Sequence, residues 1–126
     1  MQSLSLQSGS SLMLEFVGSH EVIEDVVCFR LQGKMSQATV PEFLALFTDC
    51  FSKGRHKIVL NCQDLIEIRS VHLGVLFRSL VQARKSDGDI KFVQVERTIW
   101  NSMEMMGFAD RVQNFDSEGA AIGDFN

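Results

Sequence analysis

Proline, cysteine and long apolar runs are scarce in this chain of 126 residues. With one proline and nine glycines, it lacks the composition of a loop-dominated or disordered chain, which is rich in such residues. The three cysteines, Cys28, Cys50 and Cys62, are odd in number, widely spaced and without a CxxC pair. Each belongs to an apolar segment, so we expect reduced thiols in the core of a cytoplasmic protein.

Signals for membrane insertion and nucleic-acid binding are missing from the sequence as well. No segment approaches the ~20 apolar residues of a membrane-spanning helix, and residues 1–11 lack the basic start and apolar centre of a secretory signal. The formal net charge is −4, which provides no electrostatic basis for binding DNA or RNA. The basic residues within 53–57 are interpreted as a solvated turn. We therefore expect a cytoplasmic protein with no direct membrane insertion and no nucleic-acid partner.

The overall composition indicates one folded domain. Hydrophobic residues make up 45% of the chain and charged residues 22%, which is typical of a soluble domain large enough to bury a core. Residues 1–10 are rich in serine and glutamine, so we predict a flexible N-terminus there and a domain over residues 11–123.

A β-hairpin is predicted at the start of the domain. Leu12, Leu14 and Phe16 alternate with other residues, as in a half-buried strand, and the same alternation returns over residues 27–31. Residues 18–20, Gly-Ser-His, are interpreted as the turn between the two strands.

The first helix has a well-marked start. Thr39 and Glu42 are three residues apart and predict a capping box. Pro41 falls in the first turn, where its missing N–H has little effect. Apolar residues then recur at helical spacing up to Gly54, which is predicted to end the helix.

The remaining segments alternate between strand and helix. Further strands are predicted at residues 58–60, 90–95 and 112–115. Two more helices are predicted, one beginning at Ser70 and one over about residues 97–106 that stops at Gly107. The order ββαβαβαβ predicts an α/β domain in which a mixed β-sheet of about four to five strands carries three main α-helices.

Ser70 is the residue most suggestive of function. At a helix start its hydroxyl meets free backbone N–H groups and the positive end of the helix dipole, so a phosphate there would be well tolerated. Serine is also a preferred N-cap residue, and capping alone would account for it. Gly74, in the first turn of the same helix, is interpreted as a position of close packing or backbone approach.

Three segments, taken together with their spacing, resemble the STAS domain, the fold of bacterial anti-sigma factor antagonists. They are residues 33–43 (GKMSQATVPEF), residues 58–84 (IVLNCQDLIEIRSVHLGVLFRSLVQAR) and residues 103–122 (MEMMGFADRVQNFDSEGAAI). The family's signature loop reads Asp-Ser-Ser-Gly-Leu-Gly, and residues 69–74 of this chain read Arg-Ser-Val-His-Leu-Gly. The resemblance implies that Ser70 is the serine phosphorylated by a partner kinase. Asn61 stands where family members usually have an aspartate.

The resemblance further implies a non-enzymatic regulatory module that binds a kinase-type anti-sigma factor. ATP would belong to the partner, and the chain itself would need no cofactor. The expected partner surface consists of Met35, Ser36, Gln37, Thr39, Arg69, Ser70, Val71, His72 and Leu73, with Gly74 and Gly107 as structural residues. Trp100 and Met105 fall off the apolar stripe of the third helix and are interpreted either as edges of the core or as part of an interface. We expect a monomer or a weak dimer.

A different kind of function stays open at this point. A single STAS domain can also be a constitutive, unphosphorylated subunit of an ABC-type lipid transporter or of a signalling scaffold. An enzyme is not expected, because no acid–base pair or nucleophile triad can be assembled from the sequence. His20, His56 and His72 are too far apart along the chain for metal-ligand spacing.

Overall fold

The computed structural model describes the backbone of residues 16–126 and the side chains of residues 22–126. Five strands form one sheet in chain order: β1 (Phe16–Ile23), β2 (Val26–Lys34), β3 (Lys57–Glu67), β4 (Asp89–Val93) and β5 (Asn114–Phe115). β1 is antiparallel to β2, whereas the other neighbouring strands are parallel. The predictions for residues 1–10, Leu12 and Leu14 lie outside the described residues.

Four α-helices accompany the sheet: α1 (Val40–Ser52), α2 (Ser70–Lys85), α3 (Arg97–Met105) and α4 (Glu118–Gly123). Short 3-10 turns lie at Gln37–Thr39 and Ala109–Arg111. Each pair of parallel neighbours is joined through a helix, because a parallel pair needs a long crossover connection. The predicted α/β architecture with a mixed sheet is therefore confirmed. Within the described part of the chain, no helix is both long and apolar enough to span a bilayer.

The opening hairpin turns later than predicted. Gly18, Ser19 and His20 lie inside β1 and pair with residues of β2. The turn is formed by Glu24 and Asp25, whose φ angles of 50° and 72° are both positive. Two residues with positive φ make the tight turn whose twist matches an antiparallel pair. The turn predicted at residues 18–20 is wrong because strand pairing outweighed the local turn preference of glycine and serine.

The two faces of the sheet contact different cores. One set of side chains, including Phe29, Leu60 and Phe92, packs against α1, α2 and α3 in the larger core. The alternate residues Cys28 and Val59 belong to a smaller core that is covered by α4. α2, which begins at Ser70, thus lies on the face with the larger core.

The short helix α4 was not predicted, and tertiary contacts hold it in place. Its first residue, Glu118, accepts hydrogen bonds from Arg30 Nε and Nη2, both at 2.8 Å, and from Asn61 Nδ2 at 2.6 Å. The hydrogen bonds from Arg30 are the main cause that lowers the pKa of Glu118 to about 2. Because this folded pKa lies below the ordinary value of 4.5, the contact stabilises the fold above that pH and is lost as pH falls toward 2.

The contact with Glu118 also accounts for the asparagine at position 61. The Asn61 amide donates to a carboxylate oxygen, whereas an aspartate at the same place would repel it. This departure from the usual family residue therefore fits the ion pair on α4.

Candidate functional site

Ser70 is exposed and is the first helical residue of α2. The N-cap is Arg69, whose backbone is extended and whose carbonyl accepts hydrogen bonds from His72 N at 3.0 Å and Leu73 N at 3.2 Å. The interpretation of Ser70 as the N-cap is therefore wrong by one residue, and capping does not explain the serine. At the first helical position its hydroxyl remains at the positive end of the helix dipole.

The length of β3 determines where α2 begins. The sequence predicted a strand at residues 58–60 followed by a loop, but β3 continues to Glu67. Cys62 and Leu65 are buried in the larger core, and the pairing with β2 extends to Lys34 and Glu67. These contacts leave Ile68 and Arg69 as the connection, so α2 starts just beyond the carboxyl end of β3, the central strand of the sheet.

The turn before α1 lies beside the start of α2. Met35 N donates to Glu67 O at 2.9 Å, which holds this turn against the end of β3. The Thr39 hydroxyl accepts from Ser36 N at 3.2 Å, donates to Ser36 O at 2.7 Å, and lies 2.9 Å from His72 Nε2. Thr39 makes no side-chain cap on α1, so the capping box predicted with Glu42 is wrong. The hydroxyl instead joins the two segments.

The nine residues expected to form the partner surface divide into two groups. Met35, Thr39, His72 and Leu73 are fully buried, with exposures of 0–1%. Gln37, Arg69, Ser70 and Val71 are exposed and Ser36 is half-buried. Direct contact with a partner is therefore left mainly to the exposed members of the set, and Leu73 reaches the surface only where it lines the groove described below. Helical geometry explains the division, because α2 turns His72 and Leu73 inward while Ser70 and Val71 point to solvent.

The charges beside Ser70 are exposed and balanced. Arg69 Nη1 lies 3.8 Å from Glu67 Oε2, and both side chains are about half exposed, at 55% and 51%. Such a pair contributes little to stability and is screened by salt. Arg69 is therefore available to a new anion at Ser70.

An apolar groove lies beside Ser70, between the start of α2 and the end of α3. It has a volume of about 200 Å³ and is lined by Ile68, Ser70, Leu73, Ser102, Met105 and Met106. Met105 is 89% exposed and Met106 45%, whereas Trp100 packs against the core. Trp100 thus lies at the edge of the core, whereas Met105 is exposed. The sequence gave no signal for a groove at Ile68 and Met106.

The two glycines singled out in the sequence have different roles. A Cβ atom at Gly74 would meet Arg78 Nη1 at 3.8 Å, an ordinary contact, so the predicted close packing there is wrong. Gly107 has a φ of 83°. Gly107 N donates to Glu104 O at 2.9 Å and Phe108 N donates to Met103 O at 3.1 Å, the pattern that closes a helix through a left-handed residue.

Alanine substitutions at these glycines are expected to act in opposite directions. Gly74→Ala should raise the free energy of unfolding by about 0.5–1 kcal/mol, because alanine has the higher helix propensity and the site has room. Gly107→Ala should lower it by about 1–2 kcal/mol, because a left-handed φ strains a residue with a Cβ. Urea denaturation of the two variants measures both effects. A destabilising Gly74→Ala would reveal a constraint on α2 that its surroundings do not provide.

Covalent chemistry is disfavoured at the cysteines. All three are buried, and burial raises the pKa of the Cys50 and Cys62 thiols to about 12. A thiol with such a pKa is not a nucleophile at neutral pH. Among the residues that the structure describes, no group of histidines, cysteines and carboxylates is arranged to hold a metal ion.

Solved structures with the same architecture are known. An anti-sigma factor antagonist from Mycobacterium paratuberculosis superposes with a TM-score of 0.77 at 14% sequence identity, covering 87% of this chain and 93% of that one. The Bacillus cell fate determinant SpoIIAA in its phosphorylated form gives a TM-score of 0.72 at 18% identity, covering 87% and 100%. The murine anion transporter Slc26a9 gives 0.67 at 13% identity, covering 88% of this chain and 22% of the transporter. At these identities the likeness concerns the fold.

The family relationship is given by the sequence itself. The family model of the STAS domain matches residues 19–121, which include both segments of the candidate site and most of the chain. The chain therefore belongs to the STAS domain family.

Proposed function

We propose that this STAS domain is a regulatory protein-binding module of the anti-sigma factor antagonist type. It would bind a kinase-type anti-sigma factor through the surface around Ser70, and phosphorylation of Ser70 would end that binding. The observation that carries the proposal is the position of Ser70, exposed at the first residue of α2 and at the rim of an apolar groove. This chain would perform no catalysis itself. ATP would bind to the partner, and both proteins would be cytoplasmic.

The helix start favours a phosphate on Ser70 in the free protein. Phosphorylation would add about −1.5 to −2 charges and three acceptor oxygens. The free N–H groups of the first turn and the helix dipole would stabilise that charge, and Arg69 is adjacent for a charge-assisted hydrogen bond. The fold would therefore tolerate the modification.

A docked partner would not tolerate the same charge. The groove beside Ser70 is lined mainly by apolar side chains, including Ile68, Met105 and Met106. A partner that covers this groove would also remove water from Ser70. Taking the phosphate out of water costs several kcal/mol even with Arg69 beside it, so a single modification would release the partner without moving the backbone.

Transfer of labelled phosphate from ATP tests the proposal. Incubation with kinase-type anti-sigma factors and ATP should label the protein, and mass spectrometry should locate the phosphate on Ser70. Ser70→Ala should abolish the label. Ser102→Ala is the matched control, because Ser102 lines the same groove, and it should remain labelled. Label on Ser102, or the same label on Ser70→Ala, would contradict the proposal.

A second candidate function is a constitutive subunit of an ABC-type lipid transporter or a signalling scaffold. It is favoured by Arg69, Val71 and His72, which replace the residues of the family's signature loop around Ser70, and by the occurrence of the fold within a murine anion transporter. Stable co-purification with a transporter ATPase that is indifferent to Ser70→Asp would favour this candidate. An anti-sigma complex that Ser70→Asp abolishes would exclude it.

A further inference from the structure

His72 forms a buried polar link beneath the exposed surface. Its side chain is fully buried, and its Nε2 lies 2.9 Å from Thr39 Oγ1. The Thr39 hydroxyl donates its one hydrogen to Ser36 O at 2.7 Å, so it can only accept from the ring. The network therefore assigns the proton of the neutral ring to Nε2. This hydrogen bond joins the first turn of α2 to the turn before α1.

The surroundings of the ring favour its neutral form. Nδ1 is buried and has no hydrogen-bond partner among the described residues, and Phe43 of α1 packs its ring against His72 with 5.7 Å between centroids. Burial is the main cause that lowers the pKa of His72. The backbone carbonyls of Ser36 and Arg69 partly offset this effect, and the positive charge of Arg69 adds to it. Glu67 lies 3.8 Å from Arg69 and weakens that charge.

A protonated ring would compete with the helix itself. Protonation adds an N–H at Nδ1, which must find an acceptor in a dry environment. The Arg69 carbonyl is nearby, but it already accepts the first hydrogen bonds of α2, from His72 N and Leu73 N. A charged ring therefore either remains unsatisfied or takes this carbonyl from the backbone, and both outcomes loosen the first turn.

We propose that His72 is a positioning residue for the exposed surface around Ser70. The neutral ring holds the two segments of this surface together, and protonation of the ring releases them from each other. The exposed residues Ser36 and Gln37 lie on one side of the link, and Arg69, Ser70 and Val71 lie on the other. That a partner binds this surface rests on the proposed function, whereas the hydrogen bond between His72 and Thr39 does not. A partner that contacts both sides would therefore bind this surface at neutral pH and lose affinity for it in acid.

The pH range of the release follows from the direction of the shift. The folded pKa of His72 lies below its ordinary value of 6.5, so the unfolded or released ring takes up a proton first as pH falls. The stabilisation by the neutral ring is complete above pH 6.5. It is lost progressively as pH falls from 6.5 through the lower pKa of the folded protein.

Two measurements on the isolated protein test the link. NMR titration of the histidine ring signals, assigned with His20→Gln and His56→Gln, should show His72 titrating below its ordinary pKa of 6.5. Amide hydrogen exchange, corrected for its intrinsic pH dependence, should show that protection at His72 N and Leu73 N falls between pH 7.5 and 5, because opening of the first turn lets the ring take up a proton. Trp100 N, which donates to Glu96 O at the start of α3, is the internal control and should keep its protection.

Two variants separate this role from a merely structural one. His72→Gln places a neutral amide N–H at the same hydrogen bond, so protection should no longer depend on pH. Thr39→Val removes the acceptor, so protection at His72 N and Leu73 N should be low at pH 7.5 as well as at pH 5. A wild-type ring that titrates at the ordinary value, or a fall in protection that persists in His72→Gln, would overturn the inference. Because no partner is present, neither result depends on whether Ser70 is phosphorylated.

Discussion

Ser70→Asp is expected to weaken binding of a kinase-type anti-sigma factor by at least about 100-fold, since each ~1.4 kcal/mol is tenfold in affinity and taking a charge out of water costs several kcal/mol even beside Arg69. The carboxylate stands in for part of the phosphate charge at the same exposed position of α2. Isothermal titration calorimetry against the partner measures the loss. In the free protein the substitution should leave thermal stability unchanged or slightly higher, because an acidic residue in the first turn interacts well with the helix dipole.

Two controls show whether charge at this position is the cause. Ser70→Asn has the size of aspartate without its charge and should retain most of the affinity. Ser86→Asp puts the same charge at the exposed C-terminal end of α2 and should bind like the wild type. An asparagine variant that binds as weakly as the aspartate variant would mean that steric fit, rather than charge, governs the interface.

Thr39→Val is expected to lower the free energy of unfolding by about 2–3 kcal/mol, because each buried polar group left without a partner costs about 1–3 kcal/mol. Valine matches threonine in shape, so packing in the fully buried site is nearly unchanged. The substitution removes the hydroxyl that bonds Ser36 and His72. His72 is then left with two unpartnered ring nitrogens. Urea denaturation at pH 7.5, where the ring is neutral, measures the effect.

Thr48→Val is the matched control for this change. Thr48 lies on α1 and is exposed, and its hydroxyl donates to Leu44 O of the same helix at 3.1 Å. Its replacement should change stability by no more than ~0.5 kcal/mol, as is usual for surface substitutions. If Thr39→Val were equally mild, the hydroxyl network would contribute little, and the two segments would be held by apolar packing alone.

Much of the fold follows from patterns that are local in sequence. The helical spacing of α1, the apolar run at the start of β3 and the alternation in β2 predicted the elements and their order. The predictions failed where a contact between distant residues decided the outcome. The hairpin turn moved to Glu24 and Asp25 through pairing with β2, and α4 is held in place where Glu118 meets Arg30 and Asn61 from two strands. No periodicity within residues 118–123 contains that information.

The candidate site shows the same division. Its location at Ser70 was predicted, because a serine between a buried strand and an apolar-faced helix is visible in the sequence. The groove was not, because Met105 and Met106 become neighbours of Ser70 only when the end of α3 packs beside the start of α2. His72 was taken for a surface residue, since a histidine near a helix start gives no sign of a threonine on another segment.

By itself, then, the sequence determined the class of fold, the order of its elements and the serine at the start of α2, because these depend on the spacing of residues close along the chain. The tertiary structure decided which of those residues face solvent. Ser70 and His72 are two positions apart, yet one is exposed and the other fully buried. The reason is physical: the packing of α2 against α1 and the sheet sets the rotation of the helix, and that rotation turns one side chain to water and the other to Thr39.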